Sequence, residues 1–170
     1  MKPLMPIEPL DPKIHDRSTF QSGEPSLDSW IRHLAGPAGR RDGARTYVAC
    51  DGPRVVGYYS LCAFQVDRGY APGRARARRH EISAVLIARL AVDETHQGMG
   101  LGGYLLLGAL RIAALVADRI GVRLVVVHAL HEEAAGFYGH HGFTRFETAP
   151  LSMYVLMQDV RKNLATSGLD

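Results

Sequence analysis

Glycines are concentrated in the segment Gln97-Gly98-Met99-Gly100-Leu101-Gly102-Gly103, which follows one apolar run and precedes another. Where a strand turns into a helix, glycines let backbone N–H groups approach a phosphate closely. The N-terminus of the helix adds the positive end of its dipole. We call residues 97–103 the glycine cradle, and it predicts a site for a pyrophosphate group.

The spacing of the glycine cradle differs from two common phosphate-binding motifs. A P-loop places a lysine directly after its last glycine, and no lysine follows here. Gly98, Gly100 and Gly103 match G-x-G-x-x-G in part, but a dinucleotide site also needs an acidic residue beyond a second strand. Asp118 precedes that strand, so the dinucleotide interpretation is weak. A glycine-rich turn without function stays open as an alternative.

Hydrophobic periodicity predicts the elements that position the glycine cradle. The cradle is expected to join a strand, Val85–Val92, to a helix, Leu101–Ala117. Other elements are predicted on both sides: a strand within Met5–Leu10, a helix from an N-cap at Ser26 to Ala35 that ends at Gly36–Gly39, a hairpin of Arg45–Cys50 with Val55–Phe64, a strand Leu124–Val127, a helix His131–His140 and a strand Met153–Met157.

Length and composition are those of an ordinary globular domain. The chain has 170 residues, of which 46% are hydrophobic and 22% charged, and its net charge is +3, so we expect one domain over 1–170. The first residues lack the apolar segment of a signal peptide. The longest apolar stretch, Tyr104–Ala117, is interrupted by Arg111 and is shorter than the about 20 residues that span a bilayer. We expect a cytoplasmic protein whose tail is disordered from about residue 160.

The two cysteines, Cys50 and Cys62, fit no metal-binding spacing, and no metal is expected. A turn at Asp51-Gly52-Pro53 would place Cys50 opposite Arg54 and direct Cys62 toward Asp42. The two thiols would then not meet, so they are predicted to be free and buried.

Two motifs, in this order, resemble the GNAT N-acetyltransferase superfamily. Gln97-x-x-Gly100-x-Gly102 matches its [RQ]-x-x-G-x-[GA] acetyl-CoA motif, after a strand that ends Leu90-Ala91-Val92-Asp93. Downstream, Phe137-Tyr138-x-x-x-Gly142-Phe143 matches F-Y-x-x-x-G-F. The likeness covers roughly Thr46–Met157. It implies an α/β (α+β) GNAT fold, in which a splayed mixed sheet is flanked by helices.

The resemblance also implies acetyl-CoA as co-substrate. Its pyrophosphate would bind the amides of the glycine cradle, and its pantetheine would pair with the backbone of Leu90 and Val92. A backbone N–H nearby would bond the thioester oxygen. The residues so implied in cofactor binding are Leu90, Ala91, Val92, Gln97, Gly98, Met99, Gly100, Leu101, Gly102, Gly103 and Tyr138.

Tyr138 is the residue that the resemblance implies in catalysis. A thiolate leaving group needs a proton, and a phenol near the sulfur supplies it. The alternative is a helix aromatic that only packs on the sheet, which is our interpretation of Phe137. No general base is evident among His128, His131, His140, His141, Asp93 and Glu94. None is required, because an α-amine has a pKa of about 7.7–8.0.

The N-terminal half bears a finer resemblance to the GNAT toxins of type II toxin–antitoxin pairs. Its motifs here are Phe20-x-Ser22-Gly23, Leu27-Asp28-x-Trp30, Arg45-Thr46-x-Val48, Val56-Gly57-Tyr58-Tyr59-x-Leu61 and Arg89-Leu90-Ala91-Val92-Asp93. These toxins acetylate the α-amine of aminoacyl-tRNA and block translation, and their antitoxin is typically a small ribbon-helix-helix protein. One departure is Ser83 after Ile82, where such toxins often have proline. Trp30 is expected to pack in the core.

A tRNA substrate would be held largely through its phosphates. Four arginines, Arg74, Arg76, Arg78 and Arg79, are candidates for that contact, as are Arg40 and Arg41; a solvated loop is the alternative. Two other functions stay open, an N-acetyltransferase of a small amine or protein N-terminus and a non-catalytic acetyl-CoA-binding module. The broadly apolar helix after the cradle favours a homodimer, although a wide sheet could bury it in a monomer.

Overall fold

A computed structural model describes residues 5–67, 73 and 81–167. Its strands are β1 (Ile7–Pro9), β2 (Arg45–Asp51), β3 (Arg54–Asp67), β4 (Glu81–Val92), β5 (Leu124–His128), β6 (Thr144–Arg145) and β7 (Ser152–Leu156). Its helices are α1 (Pro25–Ser29), α2 (Ala35–Arg40), α3 (Leu101–Ala117), α4 (Glu132–His140) and α5 (Met157–Thr166). A π-helical turn, Trp30–Leu34, joins α1 to α2, and a 3-10 turn, Glu94–His96, follows β4.

The strands form a seven-stranded sheet in the order β1-β2-β3-β4-β5-β7-β6. Strands β4 and β5 pair in parallel. The pairs β1–β2, β2–β3, β5–β7 and β6–β7 are antiparallel. The predicted α/β fold with a mixed sheet is confirmed. The residues described divide into two compact units, Met1–Cys62 with Ala88–Ala109 and Ala63–Ile87 with Leu110–Asp170.

The first unit is built on the β2–β3 hairpin. Cys50 faces Val55 and not Arg54 as predicted, because Asp51 itself pairs with Arg54 and only Gly52 and Pro53 form the loop. The register then shifts between Ala49 and Cys50, where a bulge adds one residue to β3, so counting from the turn also fails for the pairs beyond it. Both cysteines are free, as predicted, and both are only partly buried. The core of this unit joins Phe20, Trp30, Ile31, Ala35, Val48, Val55, Tyr58 and Ala91.

The first helical segment differs from its prediction at both ends. It begins at Pro25, after an N-cap at Glu24, and not at Ser26. Proline suits the first helical position because its missing N–H would have no intrahelical partner there. The segment also continues past the predicted stop at Gly36–Gly39 to Arg40. Pro37 lies in α2 shortly after the π-helical turn, where the regular i→i−4 hydrogen-bond ladder is already interrupted.

Helix α3 has the predicted bounds, and its N-terminal half packs closely on the hairpin of the first unit. A Cβ on Gly57 would lie 2.8 Å from Leu105 Cδ1, and one on Gly108 would lie 2.9 Å from Ile7 Cδ1. Leu105, Leu106, Ala109 and Ala113 are buried, whereas Leu115 is exposed. Glycine at position 57 therefore lets the helix approach the strand.

The second unit has its own core, which is formed by Val66, Ile82, Ala84, Leu124, Val126, Phe146 and Leu156. The closing strand ends at Leu156, and α5 follows at once. The expectation of a disordered tail from about residue 160 is wrong as far as Ser167. Val160 and Leu164, one helical turn apart, are both buried, so the helix is held by its apolar face.

Within the described parts of the chain, every helix is too short or too polar to cross a membrane.

Candidate active site

The glycine cradle is anchored to the end of β4 by side-chain hydrogen bonds. Gln97 Nε2 donates to the Val92 carbonyl at 2.9 Å and to the Ser22 carbonyl at 2.8 Å. Just before it, the Asp93 N–H donates to the Val56 carbonyl at 2.8 Å. The start of the cradle is thereby tied to β3, to β4 and to the segment before α1, all within the first unit.

Asp93 organises the connection between β4 and the cradle. Its carboxylate is 2% exposed and accepts the N–H and hydroxyl of Thr95 at 3.0 and 2.6 Å, and the N–H of Gln21 at 3.0 Å. Arg54 Nη1 lies 3.7 Å away. Burial alone would raise the pKa of Asp93, but these hydrogen bonds and the Arg54 charge outweigh it, so its pKa is lowered. A hydrogen-bonded carboxylate is the form that this pocket stabilises.

Replacing Asp93 with asparagine is expected to lower the free energy of unfolding at pH 7 by about 2 kcal/mol, since a charge-assisted acceptor is lost. Because its folded pKa is lowered, the stabilisation by Asp93 is complete above the unfolded pKa of about 3.9 and is lost as pH falls through the folded value. Denaturant unfolding from pH 7 to pH 3 measures this effect. The difference in the free energy of unfolding between wild type and Asp93→Asn should become smaller below pH 4.

Asp118→Asn is the matched control, because Asp118 makes an exposed ion pair with Arg161 at 3.1 Å. Little change is expected for it. A gap between wild type and Asp93→Asn that stays constant down to pH 3 would show that the charge of Asp93 is not the stabilising feature.

The middle of the glycine cradle has backbone geometry that only glycine adopts readily. Gly98 has φ 75° and Gly100 has φ 82°, and a Cβ on either would meet no atom within 4 Å. Residues 97–100 are exposed. The N–H of Tyr104 donates to the Gly100 carbonyl, whereas the preceding amides of α3 come before the first intrahelical partner. Such amides can bind an anion.

Strand β4 extends beyond its partner β5, as the predicted splay requires. The β4–β5 pairs run from Ala84–Leu124 to Ile87–Val127, and β4 continues to Val92. Leu90 and Val92 are partly buried, while Ala91 is 5% exposed and packs in the core of the first unit. Ala91 can therefore serve a ligand only through its backbone. The pairing of Leu90 and Val92 with pantetheine stays a prediction.

Tyr138 lies on α4 in the second unit. His131 caps this helix, its Nδ1 accepting the Ala134 N–H at 3.2 Å. The Tyr138 ring packs edge-on against Phe137 and Phe143, with centroids 5.2 and 5.6 Å apart. The side chain is 8% exposed, and burial raises its pKa to about 12. The phenol thus keeps its proton at neutral pH, as a general acid must.

The hydroxyl of Tyr138 has no hydrogen-bond partner among the described residues, although the ring is packed on both sides. A residue needed only for packing would use the ring alone. The ring of Tyr138 is held in place while its hydroxyl is free to donate a proton. This fits the predicted role of Tyr138 as general acid and also a packing role for its ring.

The histidines considered as bases differ in their surroundings. His131 is the cap of α4, and His141 Nδ1 contacts the Phe137 carbonyl at 3.0 Å. His128 Nδ1 lies 2.9 Å from Ser152 Oγ, and burial lowers the pKa of His128. His140 makes a ring contact with His141. These contacts give His131 and His141 structural roles.

The predicted tRNA contacts are only partly within the structure. Arg74, Arg76, Arg78 and Arg79 lie outside the described residues, whereas Arg40 ends α2 and Arg41 follows it. Trp30 is 5% exposed and stacks on Tyr58, so its predicted core position is confirmed. A cationic groove of about 470 Å³, lined in part by Lys13, Arg17, Arg32 and His33, was not predicted. It is lined by two short segments, residues 12–18 and 32–33, which come together only in the fold, so no motif indicates it.

The comparison with protein families decides the classification. Residues 42–145 match the model of the acetyltransferase (GNAT) domain. The chain belongs to the GNAT acetyltransferase family. It is accordingly an N-acetyltransferase.

Relatives within the GNAT family refine this result. The tRNA-acetylating toxin of Mycobacterium tuberculosis is 44% identical over 147 residues, which are 86% of this chain and 89% of the relative. The solved structure of AtaT complexed with acetyl-methionyl-tRNAfMet has a TM-score of 0.86 at 25% identity, covering 94% of this chain and 99% of the other. An AtaT mutant bound to acetyl-CoA and the C-terminus of the antitoxin AtaR has a TM-score of 0.82 at 25% identity, covering 94% and 98%.

Proposed function

We propose that this protein is a toxin that transfers the acetyl group of acetyl-CoA to the α-amine of an aminoacyl-tRNA and so blocks translation. The observation that carries the proposal is the 44% identity to a tRNA-acetylating toxin over most of both chains. The glycine cradle and Tyr138 supply the elements that the chemistry needs. Residues 1–170 act in this proposal as one GNAT domain.

Acetyl-CoA is the proposed co-substrate. The amides of residues 97–103 are proposed to bind its pyrophosphate, because residues 97–100 are exposed and the cradle ends at the N-terminus of α3. The backbone of Leu90 and Val92 is proposed to hold the pantetheine, and a backbone N–H there to bond the thioester oxygen as it gains charge. No step in this scheme requires a metal.

The reaction proceeds by attack of the neutral α-amine on the thioester carbonyl. The C–N bond forms, the C–S bond breaks, and Tyr138 donates its phenolic proton to the departing thiolate. The attacking nitrogen releases a proton to solvent, and the Tyr138 phenolate recovers one. No general base is needed, because an α-amine with a pKa of about 7.7–8.0 is partly neutral at pH 7.

The tRNA is proposed to be held through its backbone phosphates. Arg74, Arg76, Arg78 and Arg79 are the proposed contacts from the sequence. The groove that contains Lys13, Arg17 and Arg32 adds a cationic surface in the first unit. There, Arg17 Nη1 donates to the Ile31 carbonyl at 3.1 Å, which fixes its orientation. Fixed guanidinium groups suit phosphate because their planar fork bonds two oxygens.

The toxin assignment implies a partner and a setting. We propose a ribbon-helix-helix antitoxin, a homodimeric toxin and a cytoplasmic location. The likeness to a toxin structure that holds the C-terminus of its antitoxin supports an antitoxin partner. The broadly apolar α3, on which Leu115 is 64% exposed, supports a further protein contact.

A transfer assay with radiolabelled acetyl-CoA tests the proposed function. Total charged tRNA is expected to accept label, whereas deacylated tRNA is not, because only the charged form carries the α-amine. Periodate-treated, uncharged tRNA is the matched control. Absence of label on charged tRNA, with acetyl-CoA still bound in calorimetry, would contradict the tRNA substrate and favour a small amine or a protein N-terminus.

A further inference from the structure

Arg89 is held on an aromatic platform in the first unit. Its guanidinium carbon lies 4.3 Å from the centroid of Trp30. Trp30 in turn stacks on Tyr58, with centroids 5.9 Å apart and planes 16° apart. The Tyr58 hydroxyl donates to the Leu27 carbonyl at 2.8 Å, which fixes the Tyr58 ring to α1. The orientation of the guanidinium is thus set before any ligand arrives.

The charge of Arg89 has no anionic partner in the described part of the chain. The ion pairs of the described residues involve other cations, and Arg89 contacts the Trp30 ring instead. Burial raises the pKa of the Cys62 thiol, an effect that Arg89 offsets in part, so this neighbour is neutral at pH 7. A cation–π contact orients the guanidinium and leaves its positive charge uncompensated.

Asp28 is a carboxylate near the same tyrosine as Arg89: burial and this charge raise the pKa of Tyr58, whereas the charge of Arg89 lowers it. It is 6% exposed and engaged elsewhere, because its Oδ1 accepts the N–H of Ser22 at 2.9 Å and the hydroxyl of Ser22 at 2.6 Å. The carboxylate is therefore turned to the segment before α1. A guanidinium that is partly buried, oriented and unpaired is typical of an anion-binding site.

The position of Arg89 along β4 indicates which anion this is. It directly precedes Leu90, whose backbone is proposed to hold the pantetheine, and strand alternation places its side chain on the same face as Ala91. Ala91 packs in the cluster that contains Trp30. Arg89 is thus one residue from the proposed thioester site, whereas the glycine cradle that is proposed for the pyrophosphate begins beyond the end of β4, at Gln97.

We propose that Arg89, oriented by Trp30, binds the phosphate of the acceptor that is nearest to its amino acid, namely the 5′-phosphate of the terminal adenosine of aminoacyl-tRNA. This inference rests on the proposed function and specifies how the substrate is recognised. Arg89 then distinguishes an amine carried on a nucleotide from a free amino acid or a small amine. A phosphate of acetyl-CoA has the same chemistry, and the experiment below distinguishes it from the phosphate of the tRNA.

Puromycin tests the proposal, because it is an aminoacyl-adenosine analogue with a free α-amine and no 5′-phosphate. Puromycin and puromycin 5′-phosphate are used as competitors of charged-tRNA acetylation. We expect the wild type to bind the 5′-phosphate at least about tenfold more tightly, as one charge-assisted contact of about 1.4 kcal/mol gives. In Arg89→Met the two inhibition constants should become equal. Arg89→Lys keeps the charge but not the planar fork, so its ratio of the two inhibition constants should lie between those of the wild type and Arg89→Met.

Four measurements keep the outcomes distinct. Arg161→Met, which removes an exposed cation paired with Asp118, should keep the wild-type ratio. Acetyl-CoA affinity by calorimetry should be unchanged in Arg89→Met; a matching loss there would assign the phosphate to acetyl-CoA and overturn the proposal. Equal inhibition constants in the wild type would overturn it as well. Failure of the wild type to acetylate charged tRNA would instead contradict the proposed function itself.

Discussion

Tyr138→Phe is expected to lower kcat for acetylation by at least about 100-fold while the affinity for acetyl-CoA stays within about twofold. General acid catalysis typically contributes 10²- to 10⁴-fold, and phenylalanine removes the donor while it keeps the ring. The ring contacts with Phe137 and Phe143 should survive. Single-turnover acetylation and calorimetric binding of acetyl-CoA measure the two quantities separately.

The structure also predicts that Tyr138→Phe leaves stability nearly unchanged. The hydroxyl has no hydrogen-bond partner among the residues described, so no buried acceptor is left unpaired. Because burial raises the pKa of Tyr138 to about 12, the wild type should not lose activity through its ionisation below pH 10.

Tyr154→Phe is the matched control for Tyr138→Phe. Tyr154 belongs to the same unit and packs against Phe146, with centroids 4.8 Å apart. It should retain wild-type turnover. Full turnover in Tyr138→Phe, or an equal loss in Tyr154→Phe, would remove Tyr138 from the role of acid and leave it as a packing residue.

The elements around the glycine cradle were the easiest to predict from sequence. The bounds of α3 follow from the apolar run Tyr104–Ala117, which only Arg111 interrupts, and from the glycines on either side of it, Gly100 and Gly121. The positive φ of Gly98 and Gly100 agrees with the close approach to a phosphate that glycine at those positions predicts. Local signals suffice here because the turn and the helix are both local structures.

Other features depend on contacts that sequence alone does not reveal. Helix α5 was missed because Met157, the first of its buried residues, directly extends the apolar run of the preceding strand. The stack of Arg89, Trp30 and Tyr58 joins three segments distant in sequence, so no spacing indicates it. The bulge at Ala49 and Cys50 likewise leaves no mark in the residue pattern.

Asp93 shows, within the site, the same difference between what the sequence reveals and what depends on distant contacts. Its place after the strand is visible in sequence, where it resembles any strand-end carboxylate. Its function in the fold depends on Gln21 and Arg54, which are far away along the chain. A residue considered as a base is thereby assigned to holding the entrance of the cradle, since its oxygens are already bonded.

Gly100→Asp is expected to raise the dissociation constant of acetyl-CoA by about 100-fold or more. The new carboxylate would lie in the glycine cradle, where like-charge contact with a pyrophosphate costs several kcal/mol. No atom lies within 4 Å of the added Cβ, so the fold itself offers no steric barrier. Calorimetry of acetyl-CoA binding, together with thermal unfolding of the free protein, measures the effect.

The backbone strain of this substitution must be separated from its charge. Gly52, in the β2–β3 turn, has φ 61° and equally open space, so Gly52→Asp imposes a similar strain away from the site. Gly100→Asn keeps the size and the strain but not the charge. We expect affinity in the order wild type and Gly52→Asp, then Gly100→Asn, then Gly100→Asp. Equal losses in Gly100→Asn and Gly100→Asp would assign the effect to the backbone, and undiminished affinity in both would contradict a phosphate site at the cradle.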